Sequence, residues 1–161
     1  MNKEFIQPFV NGVRNVLKKI ASVDVKTNEE SFEENSEIKS KGVTSIISYS
    51  GKINGRFLID MNSETAISLT RRITGRTYDT AKEPMVLSTV SELNNIIAGD
   101  GLTDINNKFS MGLRLVPPIV FTGDNALICL DKIPSESVNI NTEYGDIRIN
   151  IAFERSPEVS G

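Results

Sequence analysis

One segment with two unlike faces, set between stretches that read as strands, constrains this 161-residue chain more than any other feature. It is 85–99, MVLSTVSELNNIIAG. At about 100° per residue, Ser88, Glu92, Asn95 and Gly99 fall within an arc of roughly 60°. Val86, Leu87, Val90, Leu93 and Ile97 project to the other side. Such a helix must lay one face on a core and display the other. Together with Pro118 the displayed residues spell Ser-x₃-Glu-x₂-Asn-x₂₂-Pro.

The flanking pattern places this helix in a mixed fold. Phe5, Phe9, Val13, Val16, Leu17 and Ile20 recur at helical spacing, so the chain opens on an amphipathic helix. Pro8 belongs in its first turn or just ahead of a later start. Val23 and Val25 suggest a short strand, and the acidic run 27–36 reads as a solvated loop without the spacing of a calcium hand. Segments 43–49 and 56–61 form a hairpin across Gly51-Lys-Ile-Asn-Gly55. Asn62 or Ser63 then caps a helix through Arg72, closed by Gly75. Pro84 opens the two-faced helix, and Gly99 and Gly101 interrupt or end it, with 102–109 a continuation after a bend. Strands follow over 113–116, 119–122, 126–130 and 145–153, the last alternating as Ile147, Ile149, Ile151 and Phe153. Residues 154–161 read as a frayed end.

Composition removes most chemistries. There is no histidine, hence no usual general base, no usual metal ligand and no Ser-His or Cys-His pair. The single Cys129 lies in a segment that reads as buried strand and is expected to be inert core. A net charge of −3 argues against a nucleic-acid surface. No run approaches membrane-spanning length, and the polar residues within 1–20 leave no uninterrupted signal core, so a cytoplasmic protein is expected. Gly99-Asp-Gly101 half resembles a phosphate-cradling loop, but it follows a helix and lacks a third glycine. By itself, Glu-x₂-Asn on a helix is most often a solvated face with no function.

The full spacing of Ser88, Glu92, Asn95 and Pro118, with the Pro8-Phe9 pair on the opening helix, resembles the CheC/CheX/FliY family of bacterial response-regulator phosphatases. The CheX branch is the nearest. A faint internal repeat supports that branch: Glu4-x₃-Pro8-x₂-Asn11 overlays Ser88-x₃-Glu92-x₂-Asn95, with the acid lost in the first copy. CheC carries two complete sites, and FliY carries flagellar-switch segments that do not fit in this length. The resemblance implies an α/β (α+β) two-layer sandwich, with a large, mostly antiparallel sheet, long helices on one side and a pseudo-twofold repeat. It spans 1–155 as a single domain, with 156–161 as a flexible tail.

The same resemblance implies an enzyme, a phosphatase acting on the aspartyl phosphate of a CheY-like receiver in chemotaxis or related two-component signalling. Asn95 is the expected catalytic amide. Glu92 completes the catalytic pair and docks a receiver lysine, while Ser88, Gly99 and Ile96 join it in partner binding. Asn94, beside the buried arc, is expected to be a satisfied structural amide. No metal or cofactor is expected on this chain; Mg²⁺ would belong to the receiver. A homodimer is implied, with no nucleic-acid or membrane partner. The alternative of another class is a non-catalytic module of the same fold that binds a receiver or flagellar switch component without hydrolysing anything.

Overall fold

The structure is a computed structural model that describes residues 3–27, 33–34, 37–123, 126–129 and 133–154. Three helices are α1 (Lys3–Ala21), α2 (Ser63–Thr74) and α3 (Pro84–Phe109). The strands are β1 (Val25–Thr27), β2 (Glu33–Glu34), β3 (Glu37–Lys39), β4 (Gly42–Ser50), β5 (Gly55–Asn62), β6 (Arg114–Leu115), β7 (Ile119–Thr122), β8 (Leu127–Cys129), β9 (Ser135–Thr142) and β10 (Gly145–Phe153). Eight of them form one antiparallel sheet in the order β1-β9-β10-β5-β4-β6, with β2 also on β9 and β7 also on β4. The β4–β5 and β9–β10 hairpins supply its centre, joined where β10 pairs with β5.

Alternation along these strands sends one set of side chains under the helices. Val43, Ile47 and Tyr49 of β4, Phe57, Ile59 and Met61 of β5, and Ile147, Ile149, Ile151 and Phe153 of β10 share the main core with Phe9, Val13 and Leu17 of α1. Val86, Val90 and Ile97 of α3 complete it. The opposite face of the sheet is partly covered as well, which the two-layer expectation did not anticipate. There β3 and β8 form a separate two-stranded sheet whose Ile38 and Ile128 pack on Leu58. A buried carboxylate fastens that cover. Asp60 accepts from the Lys41 N–H with both oxygens, from Thr44 Oγ1 and from the Arg148 guanidinium, which also donates to the Lys39 carbonyl.

Several sequence expectations change. The opening helix starts at Lys3 and runs through Pro8, which is buried beyond the first turn. Pro8 has no N–H to give to the carbonyl one turn back, and burial of Phe5, Ile6 and Phe9 around it holds the helix regardless. Ile20 is not core but 38% exposed. The acidic run contains strand β2, paired with Glu136 and Ser137, while 28–32 and 35–36 lie outside the described residues. The Cys129 side chain and the tail 156–161 also lie outside them. Strand β9 went unrecognised because only Val138 and Ile140 supply its apolar alternation, against buried Ser135 and Ser137 on the other face.

The capping of α2 follows expectation. The Asn62 side chain accepts from the Thr65 N–H, and Gly75 ends the helix in the left-handed region at φ 74°. Gly99 and Gly101, by contrast, do not break α3, which continues unbroken to Phe109. Gly101 is there for room: a Cβ at this position would lie 2.5 Å from Phe9 Cδ1 and 2.8 Å from Cε1. A Cβ at Gly12 of α1 would lie 3.1 Å from the Ile97 carbonyl oxygen. Small residues thus let α1 and α3 pack closely. We expect Gly101→Ala to lower stability by about 1–3 kcal/mol, because displacing the fully buried Phe9 ring outweighs the gain in helix propensity. Chemical denaturation checks this; an unchanged or raised midpoint would show that the close approach is not required.

Candidate functional site

Both ends of α3 are fixed before its middle is used. Pro84 occupies the first turn after Glu83, whose carboxylate accepts from the Asp79 and Thr80 N–H groups of the preceding turn. At the other end, the Ser110 N–H bonds the Asn106 carbonyl and the Asn106 side chain clamps Leu113 through both its backbone groups. Between these ends the helix buries Val86, Val90, Leu93, Asn94, Ile97, Ala98, Gly101, Leu102 and Ile105.

The expected arc is left on the outside. Ser88 and Glu92 are exposed, and Asn95, Ile96 and Gly99 are half-buried. Neither Glu92 nor Asn95 has a hydrogen bond or ion pair among the described residues, so both heads are available to another molecule. Beside Glu92 is a groove of about 400 Å³ lined by Ile20 of α1, Ile73 of α2, and Met85, Leu93 and Ile96 of α3, with Ser88 and Glu92 on its rim. Asn95, about 60° around the helix from Glu92, and Gly99, one helical turn beyond it, do not line this groove. The bare Gly99 position faces Leu115 of β6, whose Cδ1 would be 3.9 Å from an added Cβ.

Pro118 is half-buried in the break between β6 and β7. Ile46 pairs with Ile119 and Tyr49 with Leu115, so residues 47 and 48 of β4 face 116, 117 and 118 of the edge. That extra residue is a bulge, and Pro117-Pro118 occupy it because neither has a backbone N–H to give to the ladder.

Two features differ from expectation or were missed, Asn94 and the groove. Asn94 is fully buried, but only half satisfied: its Nδ2 donates to Ser45 Oγ at 2.9 Å, and its Oδ1 has no partner. The groove was not foreseen, because Ile20, Ile73 and Met85 each look like core in their own segments. On α1, Asn11 accepts from Gln7 Nε2 and Pro8 is buried, so the first-helix copy of the pattern displays no comparable pair. Among the described residues no group of three His, Cys, Asp or Glu side chains could hold a metal ion. Nor is any described helix long and apolar enough to cross a membrane.

Residues 43–141, from β4 through β9 and thus including the whole Ser88-to-Pro118 pattern, match the family model described as chemotaxis phosphatase CheX. The chain belongs to the CheX family. A curated relative, the CheY-P phosphatase CheX of Thermotoga maritima, is 24% identical over 123 residues, which is 76% of this chain and 78% of the relative. Among solved structures, a CheC-like superfamily protein from Shewanella sp. PV-4 superposes with a TM-score of 0.85 at 24% identity, covering 96% of this chain and 100% of that one. The CheX of Borrelia burgdorferi, solved as a CheX-CheY-BeF3-Mg²⁺ complex, gives a TM-score of 0.75 at 27% identity, over 94% of this chain and 98% of that one. The CheX fold therefore extends over α1 and β10, beyond the limits of the family match.

Proposed function

We propose that this chain is a phosphatase that hydrolyses the aspartyl phosphate of a CheY-like receiver domain. The observation that carries the reading is the unpartnered Glu92–Asn95 pair on the displayed arc of α3, beside an apolar groove. Membership of the CheX family supports it, as do the relative named a CheY-P phosphatase and the Borrelia protein solved with CheY.

The chemistry asks little of the enzyme. An aspartyl phosphate is an acyl phosphate, so as water's oxygen bonds to phosphorus the breaking P–O bond releases a stable carboxylate that needs no proton. The proton lost by the water ends on the product phosphate. What remains is placing the water in line, a matter of position and electrostatics. Asn95 suits this: its C=O accepts from the water and its NH₂ donates to a phosphoryl oxygen without adding negative charge beside an anion. Glu92 would repel the phosphoryl group if it stood there, and is assigned to a receiver lysine instead. Ser88 and Ile96 extend the contact along the groove, while the missing side chain at Gly99 leaves room for the receiver's approach. Mg²⁺ is held by the receiver's own acidic pocket, since the displayed arc offers the single carboxylate of Glu92.

The wider reading is a cytoplasmic, single-domain protein over 1–155 with a short tail, acting in chemotaxis or a related two-component pathway. It pairs into a homodimer, which covers a sheet edge such as β6–β7, where Val116 and Ile119 are 47% and 61% exposed. Each subunit would present one α3 site. The α1 helix is a degenerate copy of that site, with Pro8 in place of the acid.

Asn95→Ala should abolish phosphate release from a phosphorylated receiver while leaving stability unchanged or slightly raised, because it removes an unpartnered head and adds a better helix former. Near-wild-type release would refute the assignment. For Glu92→Ala a weakened complex is expected as well, with Glu92→Lys worse, since a desolvated charge pair at an interface is costly to break. Undiminished affinity for a beryllofluoride-bound receiver would remove the docking role. In the same assay Asn11→Ala should be close to silent; a loss comparable to that of Asn95→Ala would show a second working site. Activity should require Mg²⁺ although the isolated chain binds none tightly, and light scattering should return a dimer. Tight Mg²⁺ binding in calorimetry, or a monomeric mass, would count against these two parts.

A further inference from the structure

Asn94 is the one polar residue among the nine that α3 buries, and it sits immediately before Asn95 and two residues after Glu92. Among the described residues its side chain makes one hydrogen bond, to Ser45 on β4, itself fully buried. The two form a polar island between apolar neighbours. Val43 and Ile47 flank Ser45 along β4, and Ile59 and Val120 stand opposite it on β5 and β7. The island is a poor choice for stability. The buried Asn94 Oδ1 is left without a partner among the described residues, and two apolar side chains of the same shape would seal the interface better.

What the pair adds is direction. Apolar packing resists separation of α3 from the sheet but is tolerant of rotation about the helix axis, whereas a hydrogen bond from the side of the helix fixes that rotation. The lever is large: a side-chain head about 6 Å from the axis moves by about 2 Å for a 20° turn. Placing a nucleophilic water tolerates far less than that, and a misplacement of about 1 Å can cost on the order of 100-fold in rate.

We propose that the Asn94–Ser45 bond is a positioning strut that sets the rotation of α3 and thereby aims the Asn95 amide. This rests on the phosphatase reading for its effect on rate, though not for its effect on Asn95 itself. Asn94 touches no substrate. Its partner lies 49 residues away, on the central hairpin of the sheet. The strut holds the rotation, while the close contacts of Gly12 and Gly101 hold the spacing to α1.

The test uses the full chain with Ser45→Ala and with the double variant Asn94→Leu/Ser45→Ala. The double variant removes both polar partners and leaves groups of similar shape, so it should melt at or above the wild-type temperature. A purely structural role then predicts recovered activity. The strut predicts instead that kcat for phosphate release stays at least about tenfold down in both variants, with KM within about threefold of wild type. Wild-type kcat in the folded double variant would overturn the proposal. A second readout does not depend on activity. The Asn95 side-chain amide signals in NMR should broaden or split in both variants, while those of Asn106, clamped to Leu113, stay as they are. Unchanged Asn95 signals would also overturn it. An intact NMR response in a chain that releases no phosphate even as wild type would refute the phosphatase reading and leave the strut standing.

Discussion

The approach of α3 to α1 at Gly101 fixes the rest of the molecule, because the Phe9 ring fills the space where a side chain would stand. With α1 this close, α3 also packs on α2, on β4 and β5 of the sheet and on the β6–β7 edge. A helix packed this way has one arc left, and that arc carries Ser88, Glu92, Asn95 and Gly99. The displayed face is thus a consequence of how α3 is buried. Burial of the apolar set stabilises the domain by about 1.5–3 kcal/mol per large side chain, while the unpartnered heads outside contribute little to stability and remain free for recognition.

That arrangement explains which parts of the protein are legible in its sequence. Helical periodicity over 85–99 reports a face directly, so the arc that displays Glu92 and Asn95 follows from spacing alone, whereas the roles proposed for them follow from the family resemblance. Capping is equally local: Asn62 and Gly75 act within three or four residues of themselves. The errors come where the deciding contact is distant. Gly101 reads as a helix breaker until Phe9, 92 positions earlier, is seen against it. Strand β9 gives little strand signal because its buried Ser135 and Ser137 are polar, and their burial depends on contacts beyond their own segment. The β3–β8 pair joins segments some 90 residues apart, and the Asp60 network that fastens it spans as much.

The site divides along the same line. Glu92 and Asn95 are recognisable because they stand at the intervals of the family pattern on one helix. The groove is not, since Ile20, Ile73 and Met85 belong to three different helices and are each unremarkable as apolar residues of an amphipathic segment. Asn94 fails for a subtler reason. An amide at the border of a buried arc is expected to be satisfied, and the usual rule for buried polar groups supports that expectation. Its unpartnered Oδ1 becomes visible only when the opposite strand is in place.

A site of two side chains on one helix also suits the chemistry. When the substrate carries its own good leaving group and its partner domain its own metal, general acid, nucleophile and ligand set are all dispensable, which is consistent with a chain that has no histidine. The burden moves from reactivity to geometry. A rigid helix is better suited to that burden than a loop, because its side chains keep fixed angular relations and only the pose of the whole helix must be controlled. On the proposed reading, spacing to α1, set by glycines, and contact with the sheet, through Ser45, control that pose with residues that never meet the substrate. The proposed catalytic face can therefore stay sparse and solvent-accessible while the accuracy it needs is built into the side of the helix that is never seen.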